Sequence, residues 1–323
     1  MTNKQAWLGF CLLALIWGSS YMFIRIGVEQ VPPFQLVFMR TGIAALGLTI
    51  TVYARGKRLP SNWRSINDLL FLGIVNTVFP FALITWGETH IESSLASVLQ
   101  GTSALFSLVF AHFVFADERI TWRKVAGLMV GFLGVVVLAT RSSGETSVDT
   151  TAQMHLLGQL AIVLSSCCYA IGGVYSRKAM QQRLEPIVVA AGAMLVAATI
   201  TGILAYGVAP VMGGAAPLPL EQLRPNVLGS LLMLGLVNTF VAYLIFYSLI
   251  ATLGAARTSM VTYVLPVVGL LLGAIFLNEW VDIRLILGAV MIVGSIAIVN
   301  LQPMTLINAL RWRTVASAPQ IHD

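Results

Sequence analysis

Ten runs of mostly apolar residues follow one another along the chain, at 6–27, 33–53, 68–86, 93–115, 122–140, 156–178, 186–208, 226–248, 256–277 and 283–301. About twenty such residues in a helix cross the hydrocarbon of a bilayer. In that solvent no water meets a backbone N–H or C=O, so a crossing segment must satisfy its own polar groups, as a helix does. The pattern predicts an all-α polytopic membrane protein with ten transmembrane helices. Only 10% of residues are charged, against about 25% in a soluble domain, too few to coat a water-soluble globule.

The breaks between the runs organise the chain. Pro32 and Pro33 punctuate the first loop, RGKRLPSNWRS (55–65) is a basic loop, and APVMGGAAPLPLEQLRPN (209–226) is too rich in proline and glycine to be helical throughout. RSSGETSVDTTAQMH (141–155) is a polar linker between the halves 1–140 and 156–301. Ten crossings put both termini on one face. That face holds Lys4, Arg55, Lys57, Arg58, Arg64, Arg119, Arg123, Lys124, Arg177, Lys178, Arg183, Arg311 and Arg313, with Arg257 close by, whereas the other holds Arg141, Arg224 and Arg284. Lysine and arginine stay inside, so both termini are expected to be cytoplasmic, with 302–323 a basic tail. Its stretch TLINALRWRTVAS (305–317) reads as an amphipathic anchor on anionic lipid. The first run follows Lys4, is long enough to span and has no small-x-small cleavage site after it, so it reads as an uncleaved helix. The net charge of +6 is scattered over short loops, which argues against a nucleic-acid partner. Cys11, Cys167 and Cys168 lie in apolar runs and write no disulfide framework.

The phrase GIVNTVF (73–79) returns as GLVNTFV (235–241), 162 residues later. Two further correspondences keep the same order. Glu118, Arg123 and Gly127 match Glu279, Arg284 and Gly288 in spacing, and Trp17 and Arg25 match Tyr169 and Arg177. Three ordered matches indicate a five-plus-five duplication. Because each half has an odd number of crossings, the second enters from the opposite face. This is an inverted repeat, in which two similar halves can exchange conformations and expose one site to each side in turn.

IWGSSYMFIR (16–25), Arg40, FSLVFAHFVFADERIT (106–121) and PVVGLLLGAIFLNEWV (266–281) together resemble the EamA-like branch of the drug/metabolite transporter superfamily. The resemblance covers both halves. It implies a carrier of ten helices around a central cavity that binds no cofactor and exports small metabolites, with exporters of aromatic and other amino acids in the most similar branch; a monomer in a bacterial inner membrane is the expectation. The family commonly has a proline midway along the fourth and ninth spans. Pro266 supplies it in the second half, whereas Ser103 stands near the equivalent place in the first.

Polar side chains at membrane depth are costly, so each calls for a partner or a purpose. Arg40 lies about two turns inside the second span, where a charge costs about 2.5–3.5 kcal/mol. A guanidinium fork matches a carboxylate, so Arg40 is a candidate for binding an anionic substrate group; otherwise it snorkels outward or pairs with Glu29. In the fourth span Ser93, Ser97, Gln100, Ser103 and Ser107 share one helical face, and the repeat places Ser259 and Thr262 at related positions in the ninth. Ser97, Gln100, Ser259 and Thr262 either line a cavity or let the two helices approach closely. Asn76 and Asn238, inside the duplicated phrase, bond either a substrate or a neighbouring helix. Trp17, Tyr21, Tyr169 and Tyr243 offer flat, partly polar walls or ordinary core packing, and Trp86 suits an interfacial belt. Lone His112 reads as a packing residue. Glu118–Arg123 and Glu279–Arg284 read as ion pairs at helix junctions.

No carboxylate stands at mid-span. Proton-for-cation exchange through a mid-membrane acid is therefore disfavoured, leaving facilitated diffusion, exchange, or coupling through groups at the helix ends. The phosphate-binding G-x-x-x-x-G-K loop, H-E-x-x-H, G-x-S-x-G and metal-spaced Cys/His clusters are all missing. The expectation is a secondary transporter exporting amino acids or similar metabolites by alternating access. A drug exporter, a passive channel and an intramembrane enzyme are the alternatives.

Overall fold

The computed structural model describes residues 3–115, 121–141, 150–182 and 184–300. Among these, nine helices are long and apolar enough to cross a membrane. Spans one to nine are Lys4–Val28, Pro33–Ala54, Trp63–Gly87, Ser93–Val114, Trp122–Ala139, Ala152–Arg177, Pro186–Val211, Pro225–Leu253 and Arg257–Phe276, and span ten, Ile283–Val299, is shorter. The described residues contain no strand. Span three starts five residues before its apolar run because its first turn is amphipathic, with Ser65 buried and Trp63 exposed. Glu118 and the tail at 305–317 lie outside the described residues.

The helix contacts carry the inverted repeat. Spans two and seven, four and nine, and five and ten pack as mates, each pair mapping onto itself when the halves are exchanged. Span one packs on nine and eight, and its counterpart, span six, packs on four and three. The duplicated phrase has a structural consequence. GIVNTVF contains a π-helical stretch, Ile74–Val78, and GLVNTFV ends a longer one, Met233–Val241. A π turn inserts an extra residue and re-aims the side chains beyond it. The Thr239 hydroxyl donates to the Leu234 carbonyl, five residues back, at 2.7 Å.

The first half of span four is enclosed on all sides, with every residue of Ser93–Gln100 buried. Its serines and alanine let neighbouring helices approach closely. A Cβ built on Gly269 of span nine would stand 2.3 Å from the Ser97 Cβ, so glycine is what lets the two helices cross there. Span four is interrupted at Gly101 and Thr102. Span nine is interrupted at Met260, and Pro266 lies within the continuous helix Val261–Phe276.

At the face away from the N-terminus the two halves are joined by buried charge, and here the expected Glu279–Arg284 pair is replaced. Asn278 adopts a left-handed conformation (φ 52°) and turns the chain back over span nine. The Glu279 carboxylate then reaches span four and accepts the N–H groups of Ser93 and Ser94, both at 2.8 Å. A carboxylate at a helix N-terminus satisfies otherwise unpaired amides and complements the helix dipole. Arg284 instead donates to the Thr140 carbonyl at 2.8 Å. Arg141, fully buried, bonds Glu92 at 2.5 Å, lies 2.9 Å from an Asp282 oxygen, and donates to the Trp280 carbonyl at 2.6 Å. Removing one partner of such a cluster strands the others without water. Arg141→Ala is expected to lower stability by about 3–5 kcal/mol, and Arg141→Leu with Glu92→Leu to recover much of it, as read by thermal unfolding in detergent.

Candidate functional site

Span two buries a stripe at Val37, Arg40, Thr41, Ala44, Ala45 and Leu48, spaced by three and four residues, so helical periodicity points Arg40 inward. Its side chain is 7% exposed. Snorkelling is thus not its solution, and Glu29 pairs with Arg224 instead, at 3.1 Å. The Arg40 Nε donates to the Thr239 hydroxyl at 2.9 Å, and its Cζ sits 4.0 Å from the centroid of the Phe81 ring. Thr239 belongs to the π-helical stretch of span eight, and Phe81 follows that of span three. The altered helical phase of the duplicated phrase thereby delivers one contact from each repeat.

The titratable groups interacting with Arg40 are Tyr169, Tyr243, Tyr21 and Glu88. No carboxylate of the described residues lies within ion-pair distance of it, and its two terminal nitrogens donate no hydrogen bond to them. The hydroxyls of Tyr21, Tyr169 and Tyr243 are likewise free of hydrogen bonds to described residues. Trp17 meets Tyr243 edge-on at 6.4 Å, and Tyr243 stacks toward Tyr247 at 5.8 Å. One open guanidinium fork and several phenols with spare hydrogen-bonding capacity therefore converge among spans one, two, six and eight. The arrangement can bind an anionic group and a flat or apolar body beside it.

Of the residues expected from the sequence, Trp17, Tyr21, Arg40, Tyr169 and Tyr243 come together in this cluster. Asn76, Ser97, Gln100 and Asn238 sit in helix contacts, and Ser259 and Thr262 lie apart from the cluster. The Asn238 amide nitrogen donates to the Ile16 carbonyl and to the hydroxyls of Ser19 and Ser20, at 3.0 and 3.1 Å for the latter two, tying span eight to span one. Asn76 packs against Gly172 of span six, where a Cβ would stand 2.4 Å from its amide oxygen. Ser97 donates to the Ser94 carbonyl at 2.8 Å. The Gln100 side-chain oxygen accepts the Ser165 hydroxyl at 2.8 Å. Ser259 is exposed, and Thr262 spends its hydroxyl on the Ser259 carbonyl at 2.8 Å.

Thr239, Phe81 and Glu88 were not singled out from the sequence. Thr239 stands in the duplicated phrase, next to Asn238. Phe81 carries no signal among many apolar neighbours. Glu88 follows the last residue of span three and looks like a loop acid, yet it is 0% exposed and neither carboxylate oxygen has a hydrogen-bond partner among the described residues. Its own carbonyl accepts Arg25 at 2.7 Å. Burial pushes the Glu88 carboxyl well above the usual carboxylate range, and Glu279 adds to the rise, against Arg25 and Arg40.

A groove of about 630 Å³ lies elsewhere, between spans two, three and seven, lined by residues such as Pro33, Val78, Ala82, Leu83 and Leu204. With no charged side chain in its lining, it offers a polar molecule little to hold.

Residues 5–140 and 156–301 each match the EamA-like transporter family. An uncharacterized transporter of Archaeoglobus fulgidus is 28% identical over 299 residues, covering 91% of this chain and 98% of its own. A protein of Escherichia coli K12 named "Probable amino-acid metabolite efflux pump" is 27% identical over 316 residues, covering 97% and 98%. One of Streptantibioticus cattleyicolor named "Probable terminal-alkyne amino-acid exporter" is 25% identical over 300 residues, covering 92% and 94%. A solved crystal structure aligns with a TM-score of 0.64 at 20% identity over 93% of this chain and 98% of its own, a likeness of fold.

Two stability measurements check these placements. Asn238→Ala should cost about 1–2 kcal/mol, whereas Asn76→Ala, which loses packing but no hydrogen bond, should cost less, both read by thermal unfolding. For Glu88 the folded protein holds its proton more tightly than the unfolded chain. Wild-type stability therefore falls as pH rises from about 4.3, the ordinary glutamate value, toward the raised folded value. Glu88→Gln should remove that fall, so its advantage over wild type appears at neutral pH and vanishes below about pH 4.

Proposed function

The chain belongs to the EamA-like transporter family, and from that premise we propose that it is a secondary transporter exporting amino acids or similar small metabolites across the inner membrane by alternating access. The observation that carries the substrate class is Arg40, a buried guanidinium whose terminal nitrogens are open among tyrosines and tryptophan. A fork of this kind takes a carboxylate through two parallel hydrogen bonds. The walls formed by Trp17, Tyr21, Tyr169 and Tyr243 suit an apolar or aromatic side chain next to it. Relatives named for amino-acid efflux and export support the same class.

The two repeats, 1–140 and 156–301, are the bodies that tilt against one another, with Arg40 at the pivot where they meet. The basic face, which carries both termini, is the cytoplasmic one. One copy supplies every residue of the cluster, so a monomer suffices.

Reconstituted vesicles test the reading. Labelled amino acids should enter saturably and be competed by unlabelled ones; linear, non-competable flux would make the protein a channel. Removing the fork with Arg40→Ala forfeits a charge-assisted contact of about 1.5–3 kcal/mol, which raises the half-saturation concentration roughly 10- to 150-fold. Arg40→Lys keeps the charge without the fork and should fall between the two. Wild-type transport by both variants, at normal folded yield, contradicts the assignment.

A further inference from the structure

Three acids are buried where spans three, four, nine and ten meet at the face away from the N-terminus, and two of them have structural duties. Glu279 caps span four through Ser93 and Ser94, and Glu92 holds Arg141. Glu88, in the same layer, is fully enclosed, and neither carboxylate oxygen is bonded to any described residue. A bare carboxylate without partners is costly in such a place, and protonation is the ordinary escape. Its surroundings can be named element by element. Span one brings Tyr21 and Arg25, span two brings Arg40, and the junction of spans nine and ten brings Glu279. On span four, beside Glu279, the Ser93 and Ser94 hydroxyls are buried and without a hydrogen-bond partner among the described residues. Span six packs Gly158 and Ile162 on the neighbouring Gly87, and its buried His155 interacts with Arg141 and Glu92. Arg25 gives its guanidinium to the Glu88 carbonyl rather than to the carboxyl.

We propose that the Glu88 carboxyl is the proton-binding site of the transport cycle, protonated while the helices enclose it and releasing its proton to water when the protein opens at this face. The proposal rests on the transporter reading of the Arg40 cluster. The step is an acid dissociation, in which the carboxylic acid becomes carboxylate and the proton passes to water. Its link to transport is electrostatic. Glu88 interacts with Arg40, so ionising Glu88 changes the field at the guanidinium, and charge placed on Arg40 changes the proton affinity of Glu88 in return. Coupling of this kind needs no acid at mid-span. It works from a helix end, where opening one face wets the group.

Two experiments judge it separately. Infrared spectroscopy of the purified protein at neutral pH should detect a protonated-carboxyl band that Glu88→Gln lacks; identical spectra overturn the site, whatever the substrate. In proteoliposomes given a mixture of the twenty labelled L-amino acids, an imposed pH gradient should change wild-type accumulation several-fold, in either direction. Glu88→Gln should lose that response and keep exchange of internal for external amino acid. A wild type indifferent to the gradient, or a Glu88→Gln variant that still responds, overturns the coupling, as does a folded Glu88→Gln protein that has lost exchange as well. If no amino acid moves under any condition, the amino-acid reading fails and the infrared result alone decides the proton site. Should Glu88→Gln fail to fold, Glu88→Asp must retain both the band and the gradient response, and their loss in a folded Glu88→Asp protein counts against the proposal.

Discussion

Inside a bilayer no water is available to satisfy a polar group, and the architecture follows from that constraint. It forces the backbone into helices and makes each buried polar side chain a question with a small number of answers. Most are answered within the protein. Asn238 finds three oxygens on span one, Gln100 finds Ser165, Glu279 finds two helix amides and Arg141 finds Glu92. These bonds run between elements distant in sequence, and the Asn238, Glu279 and Arg284 contacts join the two repeats. The polar residues that hold the halves together are thus ones the membrane would otherwise penalise.

Among the described residues, two ionisable groups that interact with one another, Arg40 and Glu88, are not answered in this way. Arg40 keeps its fork open and Glu88 keeps both oxygens unbonded. A structural role alone accounts poorly for either, because a well-packed apolar residue would cost less at both places. Unsatisfied groups of opposite charge, one among aromatic walls and one at a helix end, are what a carrier needs if it is to bind a charged molecule and sense a proton. The π-helical stretches in spans three and eight give this pair its geometry, since they bring Phe81 and Thr239 onto Arg40.

The number of spans, the duplication and its inverted sense were legible because hydropathy is summed over twenty residues and survives local exceptions. Arg40 was legible because an arginine in an apolar run has few explanations. The roles of the asparagines were not. Periodicity placed Asn76 and Asn238 near mid-membrane, but whether an amide meets a substrate or a neighbouring carbonyl depends on which helix packs beside it. The serine face of span four was open to two readings for the same reason, and its contact with Gly269 shows small residues permitting a crossing. The Glu279–Arg284 spacing suggested a local ion pair. A single left-handed residue, Asn278, sends the carboxylate across to span four instead, and helix-based spacing cannot register such a reversal. Glu88 was hidden by its position, one residue past a span end, where an acid ordinarily faces water.

The central claim is that the open fork of Arg40 takes a substrate carboxylate. Competition in proteoliposomes tests it most directly, with uptake of a labelled amino acid challenged by the same amino acid and by its uncharged-carboxamide analogue. The account predicts that the free acid competes and the amide, which keeps the side chain and the ammonium but lacks the carboxylate, competes far more weakly, a difference that Arg40→Ala abolishes. Equal competition by acid and amide in the wild type would contradict it.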